Sequence, residues 1–115
     1  MREAAQAASA YLFSVPEYAH GIPGTFKNAL DWLVGTDAAY GKPAAIWTTK
    51  SRSRHVLAHL REVLTTMALE IVDDACLVVD LPEDGSDSEE ALCSPKFELQ
   101  IQSKLQILTH AASFK

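Results

Sequence analysis

Two short segments hold the residue types that could bind a cofactor. The first runs Pro16-Glu17-Tyr18-Ala19-His20-Gly21 and passes through Pro23 and Gly24 into an amphipathic stretch. The second reads Thr48-Thr49-Lys50-Ser51-Arg52-Ser53-Arg54. Glycines at 21 and 24 allow backbone to approach a ligand with no Cβ in the way, and Pro16 stiffens the exit from the apolar run before it. Backbone N–H groups at the start of a following helix favour the electron-rich side of whatever binds there. Lys50, Arg52 and Arg54 either hold a phosphate or are solvated loop charges. No Ser-His-Asp or paired-carboxylate constellation accompanies these segments. On spacing alone the first segment reads equally well as a ligand loop or as an ordinary strand-to-helix turn in which Pro and Gly are punctuation.

The remaining reactive side chains point elsewhere. His20, His55, His59 and His110 show no metal-ligand pattern. His55 and His59 stand four apart, but no acidic residue completes an HExxH arrangement. Cys76 and Cys93 lack metal-site spacing and read as free thiols of a reducing compartment. No GxGxxG or Walker-type phosphate loop occurs.

The elements that must position the two segments alternate in kind. Ala10 to Val15 reads as a buried strand. From Pro23 to Val34, Phe26, Leu30, Leu33 and Val34 fall on one helical face, and Gly35 is a stop. Trp32 lies off that stripe, which fits burial against a partner or packing on the edge of its own domain. Pro43 to Thr49 is a second strand. His55 to Leu69 carries Val56, Leu57, Leu60, Val63, Leu64 and Met67 at helical spacing. Glu70 to Leu81 holds strand material, most continuous from Ala75 to Val79. Pro82 to Pro95 carries Glu83, Asp84, Asp87, Glu89 and Glu90 without a compensating base and reads as an exposed loop. Phe97 to Phe114 closes the chain as a helix burying Ile101, Leu105, Leu108 and Ala112. Such alternation predicts a parallel sheet flanked by helices. The first segment then sits between a strand and a helix N-terminus, where open α/β sheets bind cofactors.

The block from Ser14 to Trp32, SVPEYAHGIPGTFKNALDW, closely resembles the PEYN-x-x-x-PG-x-x-KNA-x-DW signature of the NAD(P)H-dependent FMN reductase family, which includes quinone and chromate reductases. Every fixed letter is present except the Asn, here Ala19. The resemblance implies a flavodoxin-like three-layer α/β/α fold with FMN and NAD(P)H as cofactors. It implies hydride transfer from NAD(P)H to FMN and onward to a small-molecule electron acceptor, a quinone or a flavin. Pro16, Glu17, Tyr18, Ala19, His20 and Gly21 would lie along the flavin ring, with Thr49, Lys50, Ser51 and Arg52 as a second contact that has lost the family's glycine. Family members open with a strand, a Ser/Gly-rich phosphate loop, a helix and a second strand. MREAAQAASA reads instead as the end of the helix before the third strand. Residues 1–115 are therefore expected to be a partial domain of the family, lacking its first strand, phosphate loop and second strand. The alternative is a fragment of that family with lost or weak FMN binding, acting as an oligomerising or structural module.

Composition sets outer limits. The 115 residues are 48% hydrophobic with a formal net charge of −5, which suits one globular domain and argues against nucleic-acid binding. No apolar run approaches the ~20 residues of a membrane span, and no signal peptide opens the chain, so the cytoplasm is expected. In the family's strand order 2-1-3-4-5 the strand at 10–15 is left as an apolar edge. A homo-oligomer is expected, through that edge and through the helix at 23–34, which helps form the dimer interface in related flavoproteins.

Overall fold

The computed structural model describes residues 2–14, 23–34, 37–49, 54–79 and 94–113. Helix α1 (Arg2–Ala7) leads into strand β1 (Tyr11–Ser14), followed by helix α2 (Gly24–Asp31) and strand β2 (Pro43–Thr49). Helix α3 (Arg54–Thr66), strands β3 (Glu70–Ile71) and β4 (Leu77–Val79) and helix α4 (Pro95–Ala112) complete the chain. All strand pairs are parallel. β2 lies in the middle, with β1 on one side and both β3 and β4 on the other. Helices cover both faces, giving the expected α/β/α layering.

Alternation along the strands divides the core. Tyr11 and Phe13 project to the same face as Ala44 and Ile46, where Leu30 of α2 and Leu60 and Leu64 of α3 bury them. Ala45 projects to the other face, against Leu108 of α4 and Ala75. Ile46, Leu60 and Leu64 are among the largest side chains buried completely. Leu60 and Leu64 stand at the i, i+4 spacing in α3 that the sequence pattern announces.

β3 and β4 run along the same side of β2 but are separated by a 3-10 turn at Asp73–Ala75. Val72 N–H donates to Ala44 C=O at 2.8 Å, and then the chain lifts away. Ala75 N–H donates back to Val72 C=O at 2.9 Å, and the chain rejoins β2 at Leu77 level with Trp47. Trp47 Nε1–H secures the hump by donating to Ala75 C=O at 2.9 Å. The strand material expected over 70–81 is thus two short strands and a turn. Asp73 and Asp74 were the turn formers in that stretch.

Two expected core residues lie outside. Val34 is 63% exposed because α2 ends at Asp31. Leu33 and Val34 then bond to Leu30 and Asp31 with tighter i, i+3 geometry, so the helical period no longer sets their direction. Leu105 is 40% exposed on the shoulder of α4, beside the stripe that carries buried Leu108. That helix starts at Pro95, two residues earlier than the apolar pattern, because Ser94 Oγ caps it by accepting from Phe97 N–H at 3.2 Å.

Candidate functional site

The parallel arrangement sends the carboxyl ends of β1, β2 and β4 to one edge of the sheet. Ser14 is level with Trp47, and Thr49 with Val79. The two segments singled out in the sequence both leave from this edge. Pro16, Glu17, Tyr18, Ala19, His20 and Gly21 join Ser14 to Pro23, and Lys50, Ser51 and Arg52 join Thr49 to Arg54. They lie outside the described residues. Thr49 ends β2, and its side chain is outside them as well.

What frames these segments has a definite chemistry. Helix α2 opens at Gly24 with Pro23 at its N-cap, and no side chain caps it. Its early N–H groups therefore have no intramolecular acceptor from a capping side chain, and the positive end of the helix dipole points toward the carboxyl edge. Neither α2 nor α3 has an acidic residue in its first turn, where a carboxylate would compete for those donors. Among the described residues, a Cβ built on Gly24 would meet nothing within 4 Å. A helix start with no N-cap side-chain bond and no first-turn carboxylate suits a ligand with carbonyl, ring-nitrogen or phosphate acceptors. This donor set fits FMN.

The structure also assembles a cleft that the sequence reading did not find. Lys27, Asp31 and Val34 from the α2 side and His59, Glu62, Val63, Thr66 and Met67 from the α3 side line about 300 Å³. Lys27 Nζ and Asp31 Oδ1 pair at 2.6 Å on its rim, with both side chains well exposed. The i, i+4 spacing of that pair was visible, but nothing in the sequence placed α3 beside it. The cleft runs toward the C-terminal ends of the helices, away from the edge where the cofactor segments leave. Among the described residues no group of three or more His, Cys, Asp or Glu side chains could hold a metal ion. Cys76 is a free thiol whose Sγ accepts from Ile46 N–H at 3.4 Å, and Cys93 lies outside the described residues.

Comparison with known proteins identifies the family. Residues 1–83 match the family model described as NADPH-dependent FMN reductase. The chain belongs to that family. It is 30% identical over 112 residues to an NAD(P)H-dependent FMN reductase of Pseudomonas aeruginosa, across 93% of this chain. The chain spans 60% of that relative's length. A flavodoxin, WrbA-like protein from Agrobacterium tumefaciens superposes with a TM-score of 0.66 at 14% identity, covering 98% of this chain and 72% of the other. That likeness bears on the fold alone and agrees with a flavodoxin-like α/β sheet. Members of this FMN reductase family are oxidoreductases whose cofactors are FMN and NAD(P)H.

Proposed function

We propose that this chain supplies the flavin-ring end of an NAD(P)H-dependent FMN reductase, transferring electrons to a quinone, a flavin or a similar small acceptor. The observation that carries the reading is the convergence at one sheet edge. Three parallel strand ends and the uncapped start of α2 meet where the PEY segment leaves β1. FMN, when bound, takes hydride from NAD(P)H and delivers electrons to the acceptor. The chain's own part is to hold and orient it. Pro16 to Gly21 would line the ring, their backbone groups reading its polar edge. The start of α2 would favour electron density on that side of the ring. Thr49 to Arg52 would form the second contact, with Lys50 and Arg52 available to a phosphate.

A second copy of the chain is part of this reading, in a soluble and cytoplasmic setting. Trp32 is 53% exposed beside Val34 at the end of α2, a pairing that suits burial against a partner. No helix among the described residues is long and apolar enough to cross a membrane. The rival reading, a fragment with lost or weak flavin binding, rests on Ala19 standing where the family has Asn and on the glycine-free second segment. The visible spectrum of the purified chain after FMN addition and desalting separates the two. Retained flavin absorbance, bleached by NAD(P)H and restored by a quinone, is the expected result. A colourless protein with no saturable FMN binding would overturn the proposal and leave the fragment.

A further inference from the structure

A strand buried on both faces of a parallel sheet is usually apolar throughout. β2 departs from that at one buried position. Thr48 is only 8% exposed and is the one polar side chain buried among the described residues. Alternation places it on the face of Ala44 and Ile46, toward α2 and α3 and away from the face of Thr49. Its hydroxyl has no hydrogen-bond partner among the described residues. No fully enclosed side-chain oxygen or nitrogen there lacks a partner, so this hydroxyl still meets the surface. A polar group held this deep costs stability unless something pairs with it, and the strands and helices supply no such group.

The level of Thr48 in the fold gives its direction. β1 ends at Ser14, level with Trp47, so Thr48 stands one step nearer the carboxyl edge than the last residue of β1. It lies about 7 Å along the strand from Ile46. The core neighbours of Ile46 include Leu30 and Leu60, which come six positions after Gly24 and Arg54, the first residues of α2 and α3. Six helical residues rise about 9 Å, and both helices run back from the carboxyl edge. Thr48 is thus level with the first turns of α2 and α3. α2 has no side-chain N-cap bond, and neither first turn holds a carboxylate. The Thr48 hydroxyl and the early N–H donors of α2 therefore converge on the same part of the edge.

We propose, on the reading that this chain binds FMN, that the Thr48 hydroxyl is a further cofactor-holding group, donating to a carbonyl oxygen or ring nitrogen of FMN held at the start of α2. A hydroxyl both donates and accepts, but the polar edge of the flavin ring is rich in acceptors, and the helix start beside Thr48 selects the same kind of partner. Threonine is β-branched and stiff at χ1, so little side-chain freedom is lost when the bond forms. The hydroxyl is then neutral or unfavourable to the chain without FMN and contributes only in the complex.

Two variants test this. Thr48→Val keeps the shape and removes the hydroxyl, and Thr48→Ser keeps the hydroxyl. Thermal unfolding without FMN and FMN titration by fluorescence quenching are measured on the 115-residue chain and on both variants. Without FMN, the midpoint of Thr48→Val should equal or exceed that of the unmutated chain. Its FMN dissociation constant should rise about tenfold, with Thr48→Ser within about threefold of the unmutated chain. A midpoint several degrees lower in Thr48→Val without FMN would overturn the proposal, because the hydroxyl would then be pairing within the protein itself. So would an unchanged FMN dissociation constant in Thr48→Val, which removes Thr48 from the site and leaves the FMN reading intact. No saturable FMN binding by the unmutated chain would overturn that reading and the role of Thr48 together.

Discussion

The Tyr11 hydroxyl lies between the carbonyls of Ala5 and Ala38, 2.7 Å from the latter, and Lys42 Nζ stands 3.5 Å from it. Lys42 also donates to the carbonyls of Ala5 and Gln6, each at 3.0 Å, where the last turn of α1 has acceptors without helical partners. These two side chains fasten α1 and the segment around Ala38 to the amino end of the sheet. Tyr11→Phe keeps the ring stacked on Phe13 at 6.0 Å but loses the hydroxyl. The expected cost is about 1–2 kcal/mol in chemical denaturation, the range for a part-buried hydrogen-bonding group. At the opposite end the informative residue is Ala19. Ala19→Asn restores the family's side-chain amide at the ring segment. If that amide contributes about 1 kcal/mol, the FMN dissociation constant falls roughly fivefold, measurable by fluorescence quenching. An unchanged constant would mean that position 19 faces away from the ring.

Helix ends decide how much the elements contribute on their own. α3 is closed by Ala68 at φ 66°, a left-handed conformation that costs an L-residue about 1 kcal/mol or more. Leu69 N–H donates to Leu64 C=O at 3.1 Å across this turn, the bond of a Schellman end that usually carries glycine. Ala68→Gly should therefore raise the thermal midpoint, by roughly 0.5–1 kcal/mol of stability once the extra freedom of the unfolded chain is subtracted. Ser94→Ala should lower it by about 1 kcal/mol through loss of the cap on α4. These ends also show what was legible beforehand. β2 keeps its expected bounds, whereas α3, expected over His55 to Leu69, ends three residues early at Thr66 because Ala68 turns left-handed just beyond it. The 3-10 turn carried its signal in Asp73 and Asp74, but Ala75 and Cys76 run on into the apolar strand that resumes at Leu77, so hydropathy does not mark where the turn ends. The exposure of Leu105 depends on where α4 crosses the sheet, which is tertiary information. The cofactor segments were legible through a motif, whereas the α2–α3 cleft joins residues distant in sequence that only packing brings together.

Across the whole molecule the sheet separates stability from chemistry. The amino end holds the Tyr11 and Lys42 fastening, while β1 and β2 end at the carboxyl edge, the side of the proposed flavin site. Loops on a rigid scaffold are where binding residues are usually found, and the scaffold can be weakened without moving them. If FMN binds the folded chain alone, saturating it at about a hundred times its dissociation constant adds roughly 2.7 kcal/mol, which raises the midpoint of a domain this size by about 10 °C. Tyr11→Phe acts at the far end of β1 and shares no partner with the ring segment. Its loss and the FMN gain should therefore add, leaving the variant with a lower midpoint and the same FMN-induced shift within error. Calorimetry on both proteins with and without FMN measures this directly. A smaller shift in the variant would mean that the two ends of the sheet are coupled, and that FMN binding depends on how firmly α1 is held. An absent shift in both would instead return the chain to the reading in which the family's fold persists and its flavin binding does not.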